Sequence, residues 1–228
     1  LSIGLFPDLV KFANDNGYGI EVNESGGKIF EKHDPTEFLS RWNEWSEIEP
    51  HKYQSDALTK IVKVNKALVL SPTGSGKSLI NYMLLRYILE YTDYKVLVTV
   101  PNIQLVEQFF ADCQDYELET DIIKVSENIH KLYGKQEAYD GSKRILVSTW
   151  QSVYKNDLKF FEQFQSYICD EAHLADAKGL THVINSLRKT AVFKVGTTAT
   201  TDGSKCHAMQ LKSLFGMLVK TKTTRELI

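Results

Sequence analysis

Short, almost wholly apolar segments alternate with amphipathic ones along most of this chain. The apolar segments lie at residues 67–70, 95–100, 144–148, 167–169 and 191–195. Their length and composition are those of strands buried on both faces. The alternation therefore predicts an α/β fold, in which a mainly parallel sheet is covered by helices on both faces.

Apolar residues recur at helical spacing between or before several of these strands. The helices predicted on this basis cover residues 5–16, a segment that starts at Asp34-Pro35, residues 53–62, residues 77–91 and residues 101–112. Residues 121–125 are predicted as a further strand, and residues 126–142 are too polar to assign. A short strand is predicted at residues 18–22, followed by a turn at Ser25-Gly26-Gly27.

A polar hinge at residues 47–50 divides the chain into two predicted units. Residues 1–46 are predicted to form a small α+β appendage, truncated at its beginning, and residues 47–228 the main α/β domain. Trp42 and Trp45 lie three apart on a predicted helix, so we expect them in the core of the appendage or in its contact with the main domain. Because the chain begins with Leu1 and ends without a terminator signal, we expect it to be a fragment of a longer protein.

Composition and net charge limit how the chain can bind nucleic acid or membranes. With 43% hydrophobic and 25% charged residues, the chain has the composition of a soluble globular protein. Its formal charge of −2 provides no general attraction to nucleic acid or membranes, so any such binding must come from a local surface. The three cysteines, Cys113, Cys169 and Cys206, lack metal-ligand spacing. They favour a reduced, cytoplasmic setting.

The segment that follows the first buried strand carries the clearest chemistry. Residues 71–78 read Ser-Pro-Thr-Gly-Ser-Gly-Lys-Ser and lead into a predicted helix. Backbone N–H groups of such a loop and the positive end of the helix dipole bind phosphate. Lys77 would reach the β- and γ-phosphates, and the Ser78 hydroxyl would ligate Mg²⁺. The usual first residue of this motif is Gly, which is Ser71 here; the alternative interpretation is an ordinary Gly/Ser turn.

This loop therefore predicts a nucleoside triphosphate site. Its expected nucleotide-binding residues are Ser71, Pro72, Thr73, Gly74, Ser75, Gly76, Lys77 and Ser78. Gly74 and Gly76 allow the backbone to approach the ligand closely.

Two adjacent acids follow the apolar strand at residues 167–169. Asp170 is predicted to lie on the Mg²⁺ side, and Glu171 to be the base that orients and deprotonates the attacking water. The alternative is an acidic helix start with Asp170 as its N-cap. The predicted catalytic residues are Lys77, Asp170, Glu171 and His173.

His173 is predicted to connect the nucleotide site to the loop after the next strand. That loop contains Thr198, Ala199 and Thr200, whose hydroxyls would hydrogen-bond His173 and sense the γ-phosphate. The alternative is a plain Thr-rich turn.

The three motifs occur in the order Ser-Pro-Thr-Gly-Ser-Gly-Lys-Ser, Asp-Glu-Ala-His (a DEAH box) and Thr-Ala-Thr. Together they resemble the first RecA-like domain of superfamily 2 helicases, a P-loop NTPase fold. Residues 50–54 resemble the family segment upstream of the phosphate loop. The resemblance implies that Tyr53 and Gln54 contact the nucleotide, with Gln54 reading the adenine edge, and that the cofactors are ATP and Mg²⁺.

A closer resemblance rests on the order of Glu-Pro-His-Lys-Tyr-Gln at residues 49–54, Thr-Trp-Gln-Ser-Val at 149–153 and Ala-His-Leu-Ala at 172–175, directly after the acid pair. In these segments, and also over residues 5–18, the chain resembles the UvsW family of T-even-phage recombination and repair helicases, so the resemblance covers nearly its whole length. Asp-Glu-Ala-His replaces that family's Asp-Glu-Cys-His. The resemblance implies ATP-dependent remodelling of branched DNA, unwinding of RNA–DNA hybrids, a DNA-binding appendage and a host-cell cytoplasmic location. The family's second RecA-like domain, with its arginine finger, has no counterpart after Ile228, so these residues alone are expected to bind ATP with weak or no turnover.

Two further segments, residues 100–106 and 147–152, resemble family motifs over which the nucleic-acid backbone crosses. The predicted contacts are Pro101, Asn102, Gln104, Ser148, Thr149, Trp150 and Gln151. Hydroxyl, amide and backbone N–H groups contact phosphates without reading bases, as a motor on any sequence requires. Trp150 would stack on a base or sugar, or else pack in the core.

Of three other functions, only the motor subunit of a restriction-type complex remains open from the residues. A small-molecule P-loop kinase would need an acceptor pocket and an arginine-rich lid, which the sequence does not supply. The motor subunit of a restriction-type complex shares the same three motifs. A nucleotide-switched DNA-binding module is disfavoured by the intact Lys77 and Glu171.

Overall fold

The computed structural model describes residues 5–19, 33–118, 121–134, 137–200 and 204–221. Its α-helices are α1 (Phe6–Asp15), α2 (Pro35–Trp45), α3 (Lys52–Val64), α4 (Lys77–Tyr91), α5 (Ile103–Asp115), α6 (Trp150–Val153), α7 (Leu158–Glu162), α8 (Lys178–Ser186) and α9 (Lys205–Phe215). Its strands are β1 (Lys66–Leu70), β2 (Val96–Val100), β3 (Ile129–Leu132), β4 (Ile145–Thr149), β5 (Ser166–Asp170), β6 (Phe193–Thr198) and β7 (Met217–Lys220). No helix in this part of the chain is long and apolar enough to span a bilayer.

The seven strands form one sheet in the order β3-β4-β2-β5-β6-β1-β7. Every neighbouring pair in the sheet is parallel. The predicted α/β class with a parallel sheet is therefore confirmed. All carboxyl ends of the strands lie at one edge, which is where open parallel sheets bind ligands.

Helices cover both faces of the sheet, as predicted. Alternate strand residues such as Val69 and Val98 pack with α2, α3, α4 and α5 in one core. The intervening residues, such as Leu68 and Leu97, pack with α7, α8 and α9 in a second core. This division follows from the period of two along each strand, which sends successive side chains to opposite faces.

Helix α2 begins as the sequence predicts, with the Asp34 carboxylate accepting a hydrogen bond from the Thr36 N–H at 2.8 Å. Its Phe38 and Trp42 are fully buried in the first core. The Trp42 indole N–H donates to the Ile48 carbonyl at 2.8 Å, and its ring meets Tyr82 of α4 edge-on. Trp42 therefore contacts the main domain; the side chain of Trp45 lies outside the described residues, as does most of the predicted strand at 18–22.

The predicted strand at residues 121–125 is wrong. These residues form bends and a turn, with Ile122 98% exposed. Arg86 of α4 donates to the Ile123 carbonyl and pairs with Asp121 at 3.7 Å. Because a buried guanidinium holds this segment, its apolar residues do not require strand pairing.

Both edge strands of the sheet were missed by the sequence analysis. β3 lies inside the unassigned segment 126–142 and reads Ile-His-Lys-Leu, a partly polar strand that pairs with β4 at one edge of the sheet. β7 pairs with β1 and follows Gly216, whose φ is +119°. A Cβ on Gly216 would lie 2.2 Å from the Lys66 carbonyl oxygen, so only glycine fits there.

A buried lysine lies at the opposite edge of the sheet from the carboxyl ends. Lys194 of β6 is 7% exposed and stands beside Lys66 of β1 in register. Burial, together with the smaller effects of the neighbouring charges of Lys66 and Arg188, lowers the pKa of Lys194 from its ordinary value of 10.5 to about 8. Because the pKa is lower in the folded state, holding the charged lysine costs stability below about pH 8.

We predict that Lys194→Met stabilises the protein at pH 7 by about 1 to 3 kcal/mol, since it removes this penalty. The gain should shrink as the pH rises from about 8 and vanish above about 10.5. Urea unfolding at several pH values measures it, with the exposed Lys220→Met as the control. A gain that does not change with pH would contradict the assignment.

Candidate functional site

Three adjacent strands bring the three predicted nucleotide motifs to one place. The phosphate loop follows β1, the acid pair ends β5, and the Thr-rich loop ends β6, which lies between them. Leu70 is in register with Thr198, and Asp170 with Thr197. The Ser71 N–H donates to the Thr198 carbonyl at 3.0 Å, extending the pairing into the loop. The strand order therefore assembles residues separated by more than a hundred positions in the chain.

The phosphate loop has the backbone that its sequence predicts. Gly74 and Gly76 have φ values of +79° and +71°, which favour glycine. Gly76 is the residue before α4, so the loop leads directly to a helix N-terminus. A Cβ on Gly76 would lie 2.3 Å from the Gln54 side-chain nitrogen, so a larger residue there would displace the Gln54 carboxamide.

The side chains of Tyr53 and Gln54 of α3 hydrogen-bond to the backbone of this loop. The Tyr53 hydroxyl donates to the Ser75 carbonyl at 3.0 Å. The Gln54 amide donates to the carbonyls of Ser75 and Gly76 at 3.1 and 3.4 Å, and its oxygen accepts from the His51 N–H at 2.8 Å. Gln54 is 3% exposed, and both ends of its carboxamide are hydrogen-bonded to backbone atoms. The predicted contact with adenine would therefore require Gln54 to exchange one of these bonds.

Lys77, Ser78, Asp170 and Glu171 line one cavity of about 480 Å³. The Lys77 ammonium donates to the Ser71 carbonyl at 3.5 Å. Burial raises the pKa of Asp170, while the Thr197 hydroxyl, which donates to it at 2.8 Å, and the charge of Lys77 act in the opposite direction. A cavity that joins an ammonium, a helix N-terminus and a partly buried carboxylate suits phosphate together with a cation.

One wall of this cavity comes from α5 and was missed by the sequence analysis. It consists of Leu105, Gln108, Phe109 and Asp112. Their spacing of three and four residues places them on one helix face, which is the signal that identifies such a wall. Asn81, one turn after Ser78 on α4, also lines the cavity.

The donor set fits Mg²⁺. Ser78 and Asp170 supply a hydroxyl and a carboxylate to the same cavity, and these are oxygen ligands of the kind Mg²⁺ takes from protein when phosphates and waters complete its shell. The described residues contain no cluster of three or more His, Cys, Asp or Glu that could hold a metal without such help.

Glu171 lies at a strained backbone position directly after β5. Its φ is +53°, in the left-handed region that non-glycine residues rarely adopt. Such strain clusters at functional sites because the surrounding structure must hold it. The Glu171 carboxylate lies 3.1 Å from Nδ1 of His173, and both side chains remain partly exposed.

His173 connects Glu171 to β6, as the sequence predicts. Its Nδ1 also lies 3.1 Å from the Thr198 hydroxyl, which donates its single proton to the Thr200 carbonyl at 2.8 Å. The Thr198 oxygen must therefore accept from His173 Nδ1–H, and the same N–H faces Glu171. Ala199 lies between the two threonines and is partly buried.

A second group of predicted residues surrounds the ends of β2 and β4. Pro101, Asn102, Gln104, Thr149 and Gln151 line a shallow pocket of about 520 Å³ together with Ile103. The Gln151 amide donates to the Pro101 carbonyl at 3.4 Å, and this bond joins the two loops.

Two predicted nucleic-acid residues do not line this pocket. Ser148 is fully buried, and its hydroxyl donates to the Leu132 carbonyl at 2.7 Å. Trp150 packs against the second core, with its ring edge-on to Tyr154. A Cβ on Gly179 would lie 2.7 Å from the Trp150 ring, so the indole lies directly on that backbone. The packing alternative therefore describes Trp150 in this structure.

The chain is similar in sequence to a known family and to named DNA-processing proteins. Residues 47–203 match the family described as type III restriction enzyme, res subunit. The whole chain aligns with the ATP-dependent DNA helicase uvsW of Enterobacteria phage T4 at 33% identity, covering 46% of that protein. It aligns over 79% of its length with the DNA 3'-5' translocase XPB2 of Sulfurisphaera tokodaii at 25% identity, covering 37% of it. The chain thus spans less than half the length of these two relatives.

A solved structure extends the similarity to the fold. The crystal structure of the UvsW helicase from bacteriophage T4 superimposes with a TM-score of 0.80 at 31% identity. The match covers 96% of this chain and 79% of that one. The predicted RecA-like fold is therefore confirmed.

We predict that Thr198→Val lowers ATP turnover by about tenfold or more while changing ATP affinity little. The substitution removes the acceptor of His173 Nδ1–H but no group of the phosphate loop. Steady-state ATPase assays and calorimetric ATP titration of the full-length protein measure the two effects. Thr190→Val, which removes a hydroxyl without a hydrogen-bond partner, is the control. Unchanged turnover in Thr198→Val would contradict the coupling.

Proposed function

We propose a function for this chain from the premise that it belongs to the type III restriction enzyme res-subunit family of helicase superfamily 2. The chain is the ATP-binding motor domain of a DNA helicase or translocase, which hydrolyses ATP to remodel or unwind branched DNA in recombination, repair and replication-fork processing. The relatives that support this proposal are described as a DNA helicase and a DNA translocase.

The observation that carries the proposal is the convergence of the phosphate loop, the acid pair and the Thr-rich loop at the ends of β1, β5 and β6. An ammonium, two acids and a helix N-terminus then meet around one cavity. This combination supplies the groups that position and stabilise a phosphoryl transfer.

Each residue has a defined task in this proposal. Residues 71–78 bind the triphosphate, and Lys77 leaves the Ser71 carbonyl to reach the β- and γ-phosphates. Ser78 and Asp170 would hold Mg²⁺, which neutralises charge on the phosphates when bound. Glu171 orients the attacking water and accepts its proton. His173 positions Glu171 and couples the nucleotide site to Thr198 through its hydrogen bond to the Thr198 hydroxyl.

The DNA backbone crosses the surface formed by the ends of β2 and β4, next to the nucleotide motifs. β2 neighbours β5, so the DNA and ATP surfaces share one edge of the sheet. The exposed Asn102, Gln104 and Gln151 offer amide groups that contact phosphates without reading sequence. Single-stranded DNA, branched DNA and RNA–DNA hybrids are the proposed substrates.

The larger protein supplies the remaining parts of the motor. Residues 1–46 form the end of an accessory DNA-binding appendage, and residues 47–228 form the first RecA-like domain. A second RecA-like domain of the full-length chain would close the ATP site across the cavity. The proposed location is the cytoplasm, of the host cell if the protein is phage-encoded.

A motor subunit of a restriction-type complex is the second candidate, because the family description names a restriction enzyme. It is not favoured, since the relative that aligns over the whole chain is a DNA helicase.

We predict different effects for two substitutions in the full-length protein. Glu171→Gln should keep ATP affinity and lower DNA-stimulated turnover by about 100-fold or more, because it removes the base but no phosphate contact. Lys77→Ala should weaken ATP binding itself by about 10- to 100-fold, because it removes a charge-assisted bond. Calorimetric titration and steady-state ATPase assays separate the two.

The exposed Glu162→Gln and Lys159→Ala are the matched controls. An equal loss of ATP affinity in Glu171→Gln and Lys77→Ala would be inconsistent with these roles.

We also predict that Gln104→Ala and Gln151→Ala raise the DNA concentration needed for half-maximal ATPase stimulation by about 3- to 10-fold each. Both remove an amide from the proposed DNA surface. Gln114→Ala, exposed near the other end of α5, is the control. The proposed surface is incorrect if Gln114→Ala raises the half-maximal DNA concentration as far as Gln104→Ala and Gln151→Ala do.

A further inference from the structure

The residue that departs from the usual phosphate-loop motif lies inside a chain of hydroxyl groups. Ser71, where the motif has Gly, is fully buried, and Ser75 is 1% exposed. Their side-chain oxygens lie 2.5 Å apart. The Ser75 hydroxyl is also 2.5 Å from the Pro72 carbonyl, and the Thr221 hydroxyl is 2.8 Å from the Ser71 oxygen. Glycine at position 71 would leave this chain without its middle member.

Counting protons gives the chain a direction. A carbonyl can only accept, so Ser75 donates its single proton to Pro72. Ser71 must then donate to Ser75, and its own oxygen accepts the proton of Thr221 at 2.8 Å. The other acceptor near the Thr221 hydroxyl, the Leu70 carbonyl, is farther away at 3.4 Å and already accepts the Thr221 N–H. The order is Thr221 to Ser71 to Ser75 to the Pro72 carbonyl, with Thr221 as the first donor. Each hydroxyl therefore depends on the one before it to satisfy a buried oxygen.

Thr221 is anchored to the sheet rather than to the loop. It directly follows β7, and its N–H donates to the Leu70 carbonyl at 3.1 Å. Ser71 is fixed on its other side, where its N–H donates to the Thr198 carbonyl at 3.0 Å. Its carbonyl accepts from Lys77 at 3.5 Å. Ser71 is thus the point where β6, β7 and the phosphate-binding lysine meet.

We propose that Thr221 is a positioning residue for the phosphate loop, acting through the Ser71 hydroxyl. The proposal rests on the proposed function of this loop in ATP binding. Thr221 does not line the nucleotide cavity, yet its proton holds the loop segment 71–75 in the geometry that presents its N–H groups. A movement at the end of β7 would then change the affinity for ATP.

The test is ATP affinity in the full-length protein, measured by calorimetric titration with MgATP. Thr221→Val, which removes the hydroxyl and keeps the shape, should weaken ATP binding by about 3- to 10-fold. Thr221→Ser restores the donor and should bind as wild type does. Thr92→Val is the control, because its hydroxyl donates to the Ile88 carbonyl at the far end of α4. If Thr221 had a purely structural role, Thr221→Val would lower thermal stability without weakening ATP binding. Thr221→Ser would then have no loss of affinity to restore.

A double-mutant cycle tests the route through Ser71. Ser71→Ala should weaken ATP binding to a similar degree, and adding Thr221→Val to it should change affinity no further. The proposal would be overturned if the two substitutions weakened ATP binding independently, so that their fold-changes in affinity multiplied. Wild-type affinity in Thr221→Val would also overturn it. If Thr221→Val does not fold, wild-type affinity in Ser71→Ala alone overturns it. Absence of ATP binding by the wild-type protein would instead reject the proposed function on which it rests.

Discussion

The parallel register of three strands is the constraint on which the rest of this molecule depends. β1, β6 and β5 are neighbours, so their carboxyl ends place the phosphate loop, the Thr-rich loop and the acid pair within hydrogen-bond reach. A shift of one residue in any of these strands would send its side chains to the opposite face. The two buried cores prevent such a shift, because they fix which side chains of each strand face which helices.

Hydrogen bonds between the loops turn this proximity into a connected site. The Ser71 N–H bonds to the Thr198 carbonyl, the Thr197 hydroxyl to Asp170, and His173 to both Thr198 and Glu171. The groups that would bind phosphate and those that would activate water are thus joined through β6. In the proposed motor, a change at the γ-phosphate would first alter these hydrogen bonds. The proposed DNA surface at the ends of β2 and β4 lies along the same edge of the sheet.

The sequence was most informative where chemistry and periodicity coincide. The phosphate loop requires glycine at positive φ at Gly74 and Gly76, and the structure has it there. Periodicity could not identify β3 and β7, because edge strands are short and partly polar. It also misread residues 121–125, since their conformation is held by contacts with Arg86, which lies 37 positions before Ile123 in the chain. Contacts of this kind are set by tertiary packing and leave no local pattern.

The same limit applies within the site. The bond between His173 and Thr198 was expected from the motifs, whereas the engagement of the Gln54 carboxamide by the loop backbone was not. The cavity wall on α5 was also missed, although residues 105, 108, 109 and 112 share a helix face. A residue type and its place in a motif suggest a partner, but the fold decides which partner is in reach.

The most direct test of the proposed motor is the ATPase rate of the full-length protein without nucleic acid and with single-stranded, duplex or branched DNA. The account predicts that DNA raises the rate and that branched DNA raises it most, since ATP turnover would be coupled to DNA remodelling. A rate that is the same with every nucleic acid would contradict the motor function and direct attention to small-molecule acceptors.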